Sequence, residues 1–599
     1  MPLIVPFAGS TDAANGNLLR LAEFMGIDCV RVPLENVFSG FSQLPEWNTK
    51  DSCLVLNSSA LKACHEEHPF TDDLVHQLTS AFKFILVHNL NPDPRCENIV
   101  RLLSASQLVS VRPAHFGSHY QVSRNNKQIC GPFSGLTFGF ANPHVDRILG
   151  VGPAARSFSP LISVDDSPLL ATLRRGNAQI FFLATSAVAD IHAEIRDKQS
   201  TDPLFSQLMP AAMLLRYMFA GQCWQPHERH ATLTIDDPPL WPSYGYLNYE
   251  RLLHSMDTHD FHSSIAFIPH NYRRDAPEVV QLFQTRPDRF SICFHGNDHT
   301  RAELGETDSS ILNNLLNTAV ARMERHRAST SIRCDKLMVF PQGVFSQQAM
   351  DALRSHNFLA AVNTESRPAR SPIRIELAEL LQPALLNYGF PLFIRKPVDQ
   401  YAPESLAFNL FFGKPLFIGS HHDLFKNIEG LETLVDQINS MSTPVRWSNL
   451  QTAINNSYLT RKLDDGTREI RTYASVGSIE NQSAGALRFT IELEDAGSAQ
   501  AEKVLLNGEC ALDKVVDNTD RRIVMLIPPG KRCSFDALDG TSDVTPHREG
   551  AARTIKAFCR RRLSEFRDNY LSKNPLVLLT AKSLQRHLQS STQPQPDSR

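Results

Sequence analysis

The sequence has no surplus of one charge: 60 Lys and Arg stand against 63 Asp and Glu, for a formal net charge of −3 and a pI near 6.7. That balance gives no global attraction to nucleic acid or anionic membrane, so partners must be argued from local sites. No run of about 18 apolar residues occurs, and the opening MPLIVPFAGSTDAANGN lacks the charged and apolar regions of a secretion signal. The expectation is a cytoplasmic chain with no transmembrane segment. The 11 cysteines, from Cys29 to Cys559, are odd in number, scattered and free of CxxC spacing, which suits reduced thiols better than a disulfide framework. There is no GxxxxGK[ST] loop and no cysteine in a strand-to-helix elbow, which leaves nucleotide and amidotransferase chemistry without support.

What is present is a multidomain α/β chain. At 599 residues, with one domain per roughly 150 as a prior, several units are expected, and 42% hydrophobic with 21% charged residues is ordinary globular usage. From 1 to 222, apolar runs such as SCLVLN (52–57), KFILVHNL (83–90) and AQIFFLAT (178–185) alternate with polar or helical stretches; ATLRRGN reads as a helix and glycine turn feeding the last of them. This unit resembles flavodoxin-like or amidotransferase-like domains, and a non-catalytic role is expected of it.

From 228 to 460 the alternation becomes regular. ATLTIDD (231–237), SSIAFIPH (263–270), RFSICFHG (289–296), KLMVFPQG (336–343), FLAAVN (358–363), PLFIRKP (391–397) and PLFIGSHH (415–422) read as buried strands, with helices expected over 247–257, 275–285, 308–328 and 346–356. Seven such units predict a parallel (β/α) barrel with its functional residues at the C-terminal strand ends. Polar residues gather there: Asp236, Asp237, His270, His295, Gln342, Asn363, Arg395, His421 and His422. From 466 to 540 the texture is that of a small β-sandwich, with Leu487, Phe489, Ile491 and Leu493 alternating onto one face. A helical tail follows over 545–599: a basic amphipathic helix at 552–566, a further helix near 575–588, and a polar end, STQPQPDSR. A solvated face is expected for the helix around Arg560, Arg561 and Arg562.

Two adjacent carboxylates end the first barrel strand in TIDDP, and two histidines four apart end the third in FHGNDHT. Gly296 and Asn297 argue against a helix there. A strand-end loop can bring two imidazoles and a carboxylate together on a divalent ion with positions left open, which is the ligand pattern of a catalytic site. Taken singly, the Asp pair could be a turn or cap, and the histidines ordinary loop residues.

The order Asp-Asp, then His-x-x-x-His, then a late strand-end histidine resembles the NodB-like polysaccharide deacetylases, in particular their HGxxH branch, over about 228–460. The resemblance implies that Asp237, His295 and His299 hold one divalent metal, zinc by default with cobalt or nickel compatible, and that Asp236 is the general base. It also implies a general-acid histidine from the 421–422 pair; His422 is preferred over His421 because His-Asp is the family's late dipeptide and neighbouring strand residues face opposite ways. Two departures stand out: Pro238 and Pro239 follow the Asp pair in place of glycine, and Phe340 stands where the family's third motif carries arginine. Arg395 or Lys396 could replace that arginine, with a surface salt bridge as the plainer role for either. Tyr244, Trp241 and Arg395 are candidate substrate contacts. The implied reaction is removal of an N-acetyl group, or as second choice an O-acetyl group, from an amino sugar or glycan. The alternatives are a catalytically decayed glycan-binding scaffold and a metal-dependent amidohydrolase acting on another acyl group. Oligomeric state is left open.

Overall fold

Continuous apolar runs make strands that can be buried on both faces, and the seven runs after residue 228 do so. In a computed structural model of the chain they form β1 (His230–Asp236), β2 (Ser263–Phe267), β3 (Phe290–Phe294), β4 (Cys334–Val339), β5 (Ala360–Asn363), β6 (Phe390–Pro397) and β7 (Leu416–Ser420). Each pairs in parallel with the next, and β7 pairs back onto β1 (Ala231↔Leu416, Ile235↔Ser420), so the seven strands close a barrel. The structure describes residues 2–7, 13–38, 52–58, 62, 70–139, 141–153, 156–195, 204–300, 302–368, 373–494, 503–519, 521–537 and 551–571.

The period-2 alternation of strands sorts the barrel into two faces. Ile265, Phe267, Ile292, Phe294, Met338, Leu392 and Ile418 belong to one apolar core, shared with helices such as Tyr249–His259, Ser309–Thr330 and Gln347–Ser355. Ala266, Cys293, Val339, Val362, Phe393 and Phe417 belong to another, which fills the barrel and is closed below by Trp224, Leu450, Ile454 and Tyr473. Continued past the strand ends, the inner set leads to His295, Arg395 and His421, and the outer set leads to His422.

Before the barrel lies a nine-stranded mixed sheet. Its first five strands in spatial order, Cys29–Pro33, Leu3–Phe7, Cys53–Asn57, Phe84–His88 and Ala178–Leu183, run parallel. Ser167–Arg175, Phe158–Val164, Tyr120–Val122 and Thr137–Phe138 extend it antiparallel. The stretch ATLRR is therefore a strand and not a helix: Gly176, at φ +57, turns Ser167–Arg175 back onto Ala178–Leu183 as a hairpin. Local pattern could not separate the two, because a run buried as SPLLATL shows no face.

After the barrel, strands Leu459–Lys462, Arg468–Thr472, Leu487–Leu493, Arg522–Ile527 and Val515–Thr519 form one sheet. Val476–Glu480, Arg532–Asp536, Lys503–Leu506 and Glu509–Cys510 form a second. Ile491, Ile523 and Met525 from the first and Ile479, Val504 and Phe535 from the second share a single core. The helix Ala551–Phe566 and the turn Arg567–Leu571 return to the mouth of the barrel. The helix expected near 575–588 and the polar end lie outside the described residues. Among the described residues no helix is long and apolar enough to cross a membrane.

Candidate metal centre

Asp237 lies one residue past the end of β1, and His295 and His299 lie in the loop after β3. A carboxylate oxygen of Asp237 is 3.6 Å from His295 Nε2 and 3.4 Å from His299 Nε2. Among the described residues these three form a group whose ligand atoms all fall within 4.8 Å of one another. Asp237 Oδ1 and His295 Nε2 are buried without a hydrogen-bond partner, an arrangement that is costly unless a cation receives both lone pairs. The donor set therefore fits a divalent ion. Two of the three residues also carry positive φ, Asp237 at 81° and His299 at 53°, where an L side chain is held only when the surroundings enforce it.

The surroundings do enforce it. His295 Nδ1 lies 2.9 Å from the carbonyl of Val339, which can only accept; Nδ1 therefore carries the proton and Nε2 faces the site with its lone pair. Burial lowers the pKa of His295 to about 4, against the opposing pull of Asp236, so the ring stays neutral. Glu303 takes backbone N–H groups from Asn297 (2.6 Å), His299 (3.1 Å) and Asp298 (3.3 Å), cradling the loop that carries both histidines. Gly296, at φ +62, is required beside it, because a Cβ there would lie 2.0 Å from Glu303 Oε1. Asp298 is held by Arg322 at 2.6 Å and by His270 Nδ1 at 3.3 Å, so His270 supports the loop and is not a fourth ligand. The sequence reading missed Glu303; the one available signal was a carboxylate four residues past His299.

Asp236 points into the barrel and is buried. Arg395, from β6 and also buried, grips it with two parallel bonds, Nη1 to Oδ1 at 2.6 Å and Nη2 to Oδ2 at 2.5 Å. Burial pushes the Asp236 pKa up, but the Arg395 guanidinium and then His295 outweigh it and hold the carboxyl well below the usual range. For Asp237 the upward push of burial is likewise overcome, by His299 first and then His295. Arg395 is thus neither the surface ion pair nor the substrate contact expected of it. Lys396 donates to Ser405 instead. Phe340, in the place where an arginine was looked for, is buried and stacked on Phe345 at 5.1 Å.

The histidine pair divides as strand alternation dictates. His421 Nδ1 lies 3.9 Å from Asp237 Oδ2, and its side chain is 59% exposed. His422 turns to the outer side and is 12% exposed: Nε2 faces Asp568 Oδ1 at 3.6 Å, and the buried Nδ1 packs against Gly245. His422 is thus turned away to the C-terminal segment, and His421 is the member of the pair that lies beside the triad. Tyr244 is fully buried, with its hydroxyl donating to Asp568 at 2.6 Å, and offers no open ring to a sugar. Trp241 is half-buried under the Arg274 guanidinium, 4.7 Å from the ring centroid. Arg561 is buried too, contrary to a solvated helix face, and donates to the Asp237 carbonyl at 2.7 Å.

No protein-family model and no curated protein matches the chain. Among solved structures it is similar to a provisionally named polysaccharide deacetylase from Mycobacterium smegmatis, at 14% identity over 38% of this chain and 90% of that one, TM-score 0.27. It is similar to a family 4 carbohydrate esterase from Streptomyces lividans in complex with acetate, at 10% identity over 35% and 85%, TM-score 0.22. It is also similar to a 4-alpha-glucanotransferase from Thermococcus litoralis, at 12% identity over 38% and 40%, TM-score 0.28. Likeness at this level leaves function to be argued from the side chains themselves.

Proposed function

We propose that the chain is a metal-dependent hydrolase that removes an N-acetyl group, or as second choice an O-acetyl group, from an amino sugar or glycan. The observation that carries this reading is the triad Asp237, His295 and His299, with a separately anchored carboxylate, Asp236, beside it. One carboxylate and two imidazoles suit zinc, and also cobalt or nickel. When bound, the ion would supply a Lewis acid and a water acidic enough to ionise near neutral pH.

The chain's own groups divide the remaining work. Asp236, kept ionised and fixed in direction by Arg395, is placed to accept a proton as base. His421, on the open side of the triad, has a ring nitrogen free to deliver a proton to the departing amine. His295 is fixed as a neutral donor by Val339, and Glu303 keeps His299 in its strained backbone position. The 1–222 and 466–540 units are assigned positioning roles around the 228–460 barrel, and residues 551–571 of the tail a place at its mouth. The decayed-scaffold alternative rests on Phe340 in place of an arginine; the Arg395–Asp236 pair weighs against it, since it supplies a guanidinium from another strand.

The test is acetate release from a broad panel of acetylated amino sugars, oligosaccharides and acetyl esters, with zinc or cobalt supplied and Asp236→Asn as control. Acetate that depends on Asp236 supports the reading. Metal-loaded protein that releases none across the panel rejects it, and release of a different acid points to the amidohydrolase alternative.

A further inference from the structure

The C-terminal segment lies across the barrel mouth, and its polar side faces inward. Asp568 accepts the Tyr244 hydroxyl at 2.6 Å and faces His422 at 3.6 Å. Asn569 Oδ1 accepts the Gly245 N–H at 2.8 Å. Glu565 takes both terminal nitrogens of Arg274, at 2.5 and 2.9 Å. Arg561 donates to the carbonyl of Asp237 itself. These contacts reach the loops after β7, β1 and β2, three adjacent strands of the closed barrel. Arg561, Glu565 and Asp568 are buried, whereas Phe558, Leu563, Phe566 and Tyr570 on the same segment are half or more exposed. A tail attached only by chance would bury its apolar side and leave its charges in water. This one leaves those apolar side chains in water and, although Arg562 and Arg567 are exposed, sets Arg561, Glu565 and Asp568 on the loops that carry the site.

We propose that the segment from Arg561 to Leu571 is a fixed wall of the site that sets its substrate class: small acylated compounds and chain ends are admitted, and internal units of a polymer are refused. The proposal rests on the hydrolase reading above. A polymer acted on internally must leave the site in two directions, and the wall from β7 through β1 to β2 blocks one of them, leaving the side of β3 to β6, where His299 lies. The same geometry gives His422 its work. It and Tyr244 are the sockets for Asp568, which explains why the outward member of the histidine pair is buried and the inward one open.

Hydroxamates, which chelate catalytic metals, separate the wall from the chemistry. Three probes are needed: acetohydroxamate, a hydroxamate at one end of a polyethylene glycol chain, and a dextran bearing hydroxamates along its length. Binding is read from the visible spectrum of cobalt-loaded full-length protein. The expected result is that the first two bind alike and the dextran about tenfold or more weaker per group, a discrimination by steric exclusion. In Glu565→Ala/Asn569→Ala, whose fold is checked by its melting curve, the gap should shrink to about threefold or less. Because removal of 551–599 could unfold the chain, Gly245→Ala serves as second variant: its new Cβ would lie 2.2 Å from His422 Nδ1 and push out one of the sockets. Equal binding of all three probes by the unaltered protein overturns the wall, as does a gap that persists in both variants. Protein that takes up no cobalt overturns the hydrolase reading and the proposal together, an outcome distinct from the first two.

Discussion

Arg395 and Asp236, 159 residues apart in sequence, meet inside the barrel through two parallel hydrogen bonds of 2.6 and 2.5 Å, both side chains buried. Such a pair is stable only as a pair, because removing one partner strands a charge in a low-dielectric interior. Arg395→Met should cost about 3–5 kcal/mol of stability. The further change Asp236→Asn should restore much of that by removing the orphaned charge. Urea unfolding of the single and double variants checks this; a single-variant loss under about 1 kcal/mol would mean the pair is not held as described.

The two histidines after β7 should behave differently. His421→Ala is expected to keep its metal and lower kcat by about 10²–10⁴, the range for a lost proton-transfer group. His422→Ala should leave turnover of a small acetylated sugar within about tenfold while making residues 561–571 easier to cleave in limited proteolysis. Steady-state kinetics and a proteolysis time course read the two effects separately, and a severe loss confined to His422→Ala would return the acid role to that residue.

Gly296→Ala tests the cradle around the ligand loop. The added Cβ meets Glu303 Oε1 at 2.0 Å and Pro341 Cγ at 2.7 Å, at a backbone angle that already disfavours alanine. A loss of about 1–3 kcal/mol is expected, with metal affinity reduced in the same variant. Calorimetric melting beside metal titration measures both, and unchanged metal affinity would show that the loop does not depend on Glu303.

Much of the barrel was legible because its information is local. TIDD, FHGNDH and FIGSHH each end a buried run, and the parallel order of such runs places them on one rim. The same parity sorts the histidine pair: Phe417, Gly419 and His421 share a face, and His422 does not. A motif dipeptide and the opposite facing of neighbouring residues were both read in favour of His422, whereas His421 is the one beside Asp237. Arg395 was visible as a strand-end cation, but its partner was not, since pairing across the barrel interior leaves no mark on either segment. The contacts of Arg561, Asp568 and Asn569 join residues 324 positions apart, beyond the reach of any local periodicity. The stretch ATLRR was misread as a helix because the strand that contains it, Ser167–Arg175, is buried on both faces over most of its length and shows no alternation.

Stability should also respond to a carboxyl far from the metal centre. Asp335 on β4 is raised to about 7 by burial, which the Gln451 backbone N–H only partly offsets. A carboxyl whose folded pKa lies above its unfolded value binds more protons when folded, so its contribution to stability falls as pH rises from about 4 to about 7. Asp335→Asn removes the titration and should flatten that part of the profile. Urea midpoints measured across this window in both proteins would show it; parallel profiles would contradict the assignment.

The most direct test of the central claim is the metal content of protein purified without chelator, measured by elemental analysis. One divalent ion per chain is predicted in the unaltered protein and in Asp236→Asn, and a content well below one in Asp237→Asn and His295→Ala, because only the latter two remove ligands. An unaltered protein without metal, or ligand variants that keep it in full, would contradict the claim.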